Sequence, residues 1–172
     1  MQQPNVKDES AAKEGKYLVV RSGETLFGLP LLDTREVSKV QKVTTLPDVP
    51  SIVSGVTNIR GKMVILVDLS RLIGLTRVNQ NPDAERFMVI IEDENFTVGL
   101  VVDEIERVQS FNESEIQKHG TSKKFTVGAV EANETFVFIL DSRLLSRNGY
   151  GIGSGVDLEA LVNAEGTKEE AA

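Results

Sequence analysis

The apolar residues of this chain fall in short runs divided by polar turns, a strand-type pattern rather than a helical one. Tyr17-Leu18-Val19-Val20 predicts a strand, Arg21-Ser22-Gly23-Glu24 a hairpin turn, and Thr25 to Leu29 the returning strand. Pro30 ends ladder pairing or sets that part on an edge. Leu31 to Val40 fits a short helix or a bent strand. Pro47 and Pro50 bracket a loop opening onto Ile52-Val53-Ser54-Gly55. A hairpin then turns at Asn58-Ile59-Arg60-Gly61 and returns along Met63 to Val67. Leu69 to Leu75 fits one to two helical turns closed by Gly74.

The second half retraces the first. Phe87 to Glu92 matches Tyr17 to Arg21, and Phe96 to Val102 matches Thr25 to Leu31. The pairs Gly55/Gly128, Val64/Val137 and Asp68/Asp141 each lie 73 positions apart, and Gly28/Gly99 lie 71 apart. Ser110 to Lys124 reads as a polar loop with a helical turn at Glu113 to Lys118. Phe125 to Val130 and Phe136 to Leu140 make a second hairpin, and Ser142 to Leu145 mirrors the short helix after Asp68. Two copies of this kind predict a mainly β protein of two small, side-by-side five-stranded barrels with short helices. Each copy alone is marginal in size, so the two should pack together.

The expected boundaries are a flexible N-terminus over 1–15, a first barrel over 16–82, a second over 83–148, and a Gly-rich, acidic tail over 149–172 with a possible helical turn at Val156 to Val162. Thr76 to Glu85 is the best internal linker.

Composition narrows the function. The 172 residues include no cysteine, which excludes disulfides and thiolate metal sites. No apolar run approaches the roughly 20 residues of a membrane span. Met1 to Glu14 lacks an apolar signal core, so cytoplasmic residence is the default expectation. The net charge of −7 leaves no basic run for phosphates, which argues against nucleic acid. Few aromatics argue against a base-stacking OB-fold, the competing β-barrel binding module.

Enzyme signals are weak. His119 is the single histidine, in a polar loop without a nucleophile or orienting partner, so a small hydrolase built on it is disfavoured. Zinc is improbable with one His and no Cys. Gly149 to Gly155 lacks the strand and the Lys-Ser/Thr of a phosphate loop and reads as a linker. Asp103, Glu104 and Glu106 read as a solvated face. No catalytic residue, metal or cofactor is expected.

Arg60 is different. A type I or I′ turn uses Asn and Gly for their unusual φ angles, but it does not require an arginine. A guanidinium offers five donors in a fixed fork, suited to carbonyls or carboxylates across an interface. Only the first hairpin carries it.

Gly55-Val-Thr-Asn-Ile-Arg-Gly61 with Val67-Asp68-Leu69 resembles the signature of CheW-like chemotaxis coupling domains. Phe27-Gly28-Leu29-Pro30, Arg35-Glu36-Val37 and Val98-Gly99-Leu100-Val101-Val102-Asp103 are similar to further family motifs. The resemblance covers about Lys16 to Arg147. Two departures are Ile65-Leu66, where the family often has proline, and Ser70, where an arginine often follows Val-Asp-Leu.

The resemblance implies two SH3-like five-stranded barrels and a non-enzymatic adaptor. Its implied partners are the regulatory domain of a chemotaxis histidine kinase and the cytoplasmic helical hairpin of chemoreceptors, without membrane insertion but with recruitment to receptor arrays. A coupling protein of a twitching or other chemosensory-like pathway is the neighbouring expectation. Carried over by motif, Asn58, Arg60, Gly61, Val98, Gly99 and Val108 would lie in or near the receptor groove between barrels. Thr34, Glu36 and Val37 would face a partner from the first barrel.

Overall fold

The computed structural model describes residues 13–75, 81, 83–93, 96–118 and 125–143. His119, the tail after Arg143 and the N-terminal twelve residues lie outside them. The strands are β1 (Glu14–Ser22), β2 (Thr25–Pro30), β3 (Thr34–Lys39), β4 (Val53–Ile59), β5 (Lys62–Asp68), β6 (Phe87–Asp93), β7 (Phe96–Val102), β8 (Glu104–Asn112), β9 (Gln117–Lys118), β10 (Thr126–Ala132) and β11 (Thr135–Leu140). A short helix, α1 (Leu69–Leu72), follows β5 with Asp68 as its N-cap, the carboxylate accepting from the Arg71 N–H.

These strands form two sheets, of order β8-β1-β2-β11-β10-β9 and β3-β6-β7-β5-β4. The protein is mainly β with two sheet units, as the repeat implies. Neither strand order closes into a ring among the described residues, and the first sheet has six strands rather than five.

Each sheet mixes the two halves of the chain. The β1–β2 hairpin of the first copy pairs with β8 and β11 of the second. The β6–β7 hairpin of the second copy pairs with β3 and β5 of the first. The copies thus exchange their first hairpins, so a division near residue 82 separates the repeats but not the sheets. Connections between sheets are short. The 3-10 turn Leu31–Asp33 links β2 to β3, and Asp103 alone links β7 to β8. The segment after Pro30 is therefore both a turn and a strand, bent where the chain changes sheet.

Three apolar clusters follow from this layering. Leu18, Val20, Phe27 and Leu29 of one sheet join Val67, Val89, Ile91, Val98, Leu100 and Val102 of the other in a shared core. Val19, Leu26, Val130, Val137 and Ile139 fill the first sheet's own interior. Val64, Leu66, Met88, Ile90 and Val101 fill the second's. Central strands are buried on both faces, which is why their runs are continuously apolar instead of alternating.

The repeated glycines sit at close approaches. A Cβ on Gly55 would lie 2.3 Å from the Thr44 carbonyl oxygen, and one on Gly128 would lie 2.5 Å from that of Gln117. Both carbonyls belong to the short pairings that flank β4 and β10: the Thr44–Val56 bridge and β9. A Cβ on Gly28 would meet Ile139 at 2.9 Å, and one on Gly99 would meet Leu66 at 2.5 Å. These are the seams where exchanged hairpins run parallel to β11 and β5.

Three smaller expectations are corrected. The strand β1 begins at Glu14, inside the stretch expected to be flexible. Glu113 to Lys118 does not form a helical turn throughout: Glu115 N–H donates to Asn112 O, and Gln117–Lys118 then pairs with β10 as the sheet's last strand. Asp103 is more than a solvated acid, since its carboxylate accepts from the Gly23 N–H at 2.7 Å and ties the first hairpin to the crossing.

Candidate functional site

The hairpin β4–β5 turns over two residues, Arg60 and Gly61, with φ of 52° and 83°. Two successive left-handed residues make a type I′ turn, whose twist suits an antiparallel hairpin. The Asn58 side chain accepts from the Gly61 N–H at 2.8 Å and so braces the turn from the strand. Asn58 does not itself take a positive φ; Arg60 does. The equivalent hairpin β10–β11 turns at Asn133 and Glu134, with φ of 52° and 62°. The fold requires left-handed backbone in both turns, but it does not require an arginine in either.

Arg60 is 82% exposed and sits 3.4 Å from Glu36 on β3. This ion pair links the edge strand β3 to the tip of β4–β5 within one sheet, so it does not span the junction between sheets. Beside it, Glu92 on β6 lies 3.4 Å from Arg35 and 4.0 Å from Lys62. The same end of the sheet thus presents three cations and two carboxylates, a surface suited to charged and hydrogen-bonding partners.

The structure brings Glu36 to Arg60 in the turn that Asn58 and Gly61 share, while Thr34 and Val37 lie along the same edge strand β3. Thr34 pairs with Ile91 in register, and its hydroxyl donates to Pro30 O. Val37 is 39% exposed on β3. Val98 and Gly99 lie elsewhere. Val98 is 2% exposed in the shared core, and Gly99 packs against Leu66 and Ile90, so neither presents a side chain to a partner. At both positions the observed role is packing, because β7 is a central strand. Val108, 55% exposed, stands on β8, the edge of the other sheet, at the position equivalent to Val37.

Sequence reasoning missed Met63, Arg35, Lys62 and Glu92. Met63 is 42% exposed and pairs in register with Asn58, next to the turn. The signal for it was the outward phase of β5, where Lys62 and Met63 precede the buried Val64.

Behind the site, polar contacts pin the two sheets. Arg86 bridges the 1%-exposed Asp68 at 3.1 Å and Asp103 at 3.5 Å. The Ser22 and Ser70 hydroxyls, both buried, are 2.5 Å apart. Among the described residues no group of His, Cys, Asp or Glu could hold a metal ion, and no helix is long and apolar enough to cross a membrane.

Comparison with known proteins gives a consistent set of relatives. The chain is 25% identical over 126 residues to the chemotaxis protein CheW of Treponema pallidum, covering 69% of this chain and 74% of that one. It is 31% identical over 105 residues to the protein PilI of Pseudomonas aeruginosa, covering 60% and 57%. The crystal structure of the scaffolding protein TtCheW from Thermoanaerobacter tengcongensis superposes with a TM-score of 0.68 at 27% identity, over 80% of this chain and 96% of that one. The CheW-like domain matches residues 16–148, spanning both sheets and the Arg60 turn, and the chain belongs to that family.

Proposed function

We propose that this chain is a non-enzymatic chemotaxis adaptor that couples the cytoplasmic tips of chemoreceptors to a chemotaxis histidine kinase. Membership of the CheW-like family and the likeness to a scaffolding protein support the adaptor role. The observation that carries the site is Arg60: an exposed arginine in left-handed backbone, tied to Glu36, on a fold whose other equivalent turn does without one. The twin turn also holds a non-glycine pair, Asn133 and Glu134, in left-handed backbone, so it is the exposed guanidinium held by Glu36 that sets Arg60 apart.

In this reading the kinase regulatory domain docks along β3, over Thr34, Glu36 and Val37, and the Arg60–Glu36 pair assigns the Asn58, Arg60 and Gly61 turn to this face instead of the receptor groove expected for it. Edge strand β3 offers backbone groups and the exposed Val37, while Arg60 and Glu36 supply oriented charge. A receptor helix lays its apolar stripe near Val108, with Val98 and Gly99 shaping the sheet from within. Each contact can be weak, because a receptor array supplies high effective concentration and holds the protein at the membrane without insertion.

The test is sedimentation of the full chain with a chemoreceptor cytoplasmic fragment and with the kinase regulatory domain. Binding to each is expected, and Arg60→Ala should remain folded but bind the kinase domain more weakly. Failure to bind either partner would sink the adaptor reading.

A further inference from the structure

The exchange of hairpins poses a problem of specificity. At equivalent positions the two first hairpins carry nearly the same apolar residues: Leu18/Val89, Val19/Ile90, Val20/Ile91, Gly28/Gly99 and Leu29/Leu100. Their receiving strands are equally alike, with Leu66 and Ile139 meeting Gly99 and Gly28. Apolar pattern therefore supports pairing of each hairpin within its own copy as well as it supports exchange.

Charge separates the two arrangements. Arg21 near the end of β1 corresponds to Glu92 near the end of β6, and Arg35 on β3 corresponds to Glu106 on β8, each pair 71 positions apart. Arg35 and Glu106 are also the extra residues of matching bulges: register slips between Thr34 and Glu36 on β3, and β8 skips Glu106 opposite Val19 and Val20. In the observed fold Arg21 meets Glu106 at 2.5 Å and Glu104 at 3.6 Å, and Glu92 meets Arg35 at 3.4 Å and Lys62 at 4.0 Å. Without exchange, the same positions would set Arg21 against Arg35 and Lys62, and Glu92 against Glu106 and Glu104.

We propose that these sign-reversed ion pairs select the exchanged topology by repelling self-pairing within each copy. The device is negative as well as positive: four attractive contacts in one arrangement become four repulsive contacts in the other. Bulges suit this role because they re-aim one side chain without disturbing the ladder on either side.

The test exploits the absence of native cysteine. Lys16 and Ser110 are partners in register across β1 and β8, so Lys16→Cys with Ser110→Cys reports exchange by disulfide formation. Lys16→Cys with Lys39→Cys reports self-pairing, since Lys39 faces Phe87, the residue equivalent to Lys16. In each background the full chain is unfolded in urea, refolded and oxidised.

The parent should form only the Lys16/Ser110 link. Arg21→Glu with Glu92→Arg should lower the folded-to-unfolded ratio on the order of tenfold, from four contacts changed from attraction to repulsion. It should also divert part of the refolded protein to the Lys16/Lys39 link. Adding Arg35→Glu and Glu106→Arg should recover most of both readouts, the remainder being held back by Glu104 and Lys62, which keep their signs. The proposal is overturned if the hairpin-reversed chain refolds with the parent's midpoint and link. It is equally overturned if the midpoint falls while the link stays wholly at Ser110, or if the fourfold variant is no better than the twofold.

Discussion

Replacing Arg60 by asparagine should make the protein more stable and a poorer adaptor at once. Arg60 holds φ of 52°, a region that L-residues other than Asn and Gly occupy at a cost of about 1 kcal/mol. Arg60→Asn creates Asn-Gly at the central positions of a type I′ turn, the pair that this turn favours most. Against that gain stands the loss of the Glu36 ion pair. With Arg60 82% exposed and the charges 3.4 Å apart, that loss is a few tenths of a kcal/mol. The net is a stabilisation of about 0.5–1 kcal/mol, or a rise in Tm of about 2–3 °C for a domain this size. Urea unfolding followed by circular dichroism reads the first quantity. Titration against the kinase regulatory domain reads the second, where loss of a central guanidinium should weaken binding tenfold or more, about 1.4 kcal/mol. A destabilisation of 1 kcal/mol would refute the strain argument and make Arg60 structural. Unchanged binding in a folded variant would refute its role as a contact.

Other perturbations separate rigid from yielding parts of the fold. Gly55→Ala should cost about 3 kcal/mol in urea unfolding, because its Cβ would press on the Thr44 carbonyl, which is held by the Val56 N–H at 2.8 Å. Gly28→Ala should cost only about 1 kcal/mol, since the nearest atom is the movable Cδ1 of Ile139. Arg86→Met should destabilise by about 2 kcal/mol by leaving the buried Asp68 carboxylate without its guanidinium, and adding Asp68→Asn should recover part of the loss in the same assay. Burial, with the nearby Glu113 carboxylate adding to it, raises the Tyr17 pKa above the ordinary 10.0. The unfolded chain therefore gives up this proton first as pH rises. Stability from the neutral phenol is complete below about pH 10 and is lost as pH climbs through the folded value. Tyr17→Phe, which keeps the ring against Phe111, should flatten that alkaline loss in urea titrations.

Much of the fold was legible because strands buried on both faces leave unbroken apolar runs, and turns leave polar ones. The spacings of 71 and 73 residues reported real equivalences, since Gly55/Gly128 and Gly28/Gly99 solve identical packing problems. What the apolar pattern could not reveal is the exchange, because Val19 and Ile90 fit either sheet. The distinguishing information lay in Arg21, Arg35, Glu92 and Glu106, which look like ordinary surface charge until their partners are known. At the candidate site, Arg60 stood out as a residue the turn did not need. Val98 and Gly99 did not announce their burial, because a motif is silent on whether its strand is central or at an edge. Met63 and Glu92 were hidden because their neighbours come from distant parts of the chain.

The exchange also governs what an unfinished chain can do. As synthesis proceeds from the N-terminus, the β1–β2 hairpin emerges first, yet its parallel partner β11 is among the last strands made: Leu26 must wait for Val137. The sheet that carries Arg60 must wait for Val98 to emerge and pair with Ile65. A polypeptide that stops before β6 has neither sheet, and one that stops before β10 has no seat for its first hairpin. Truncated products are thus poor competitors for binding sites on kinase or receptor, and only a chain read nearly to its end can take a place in an assembly.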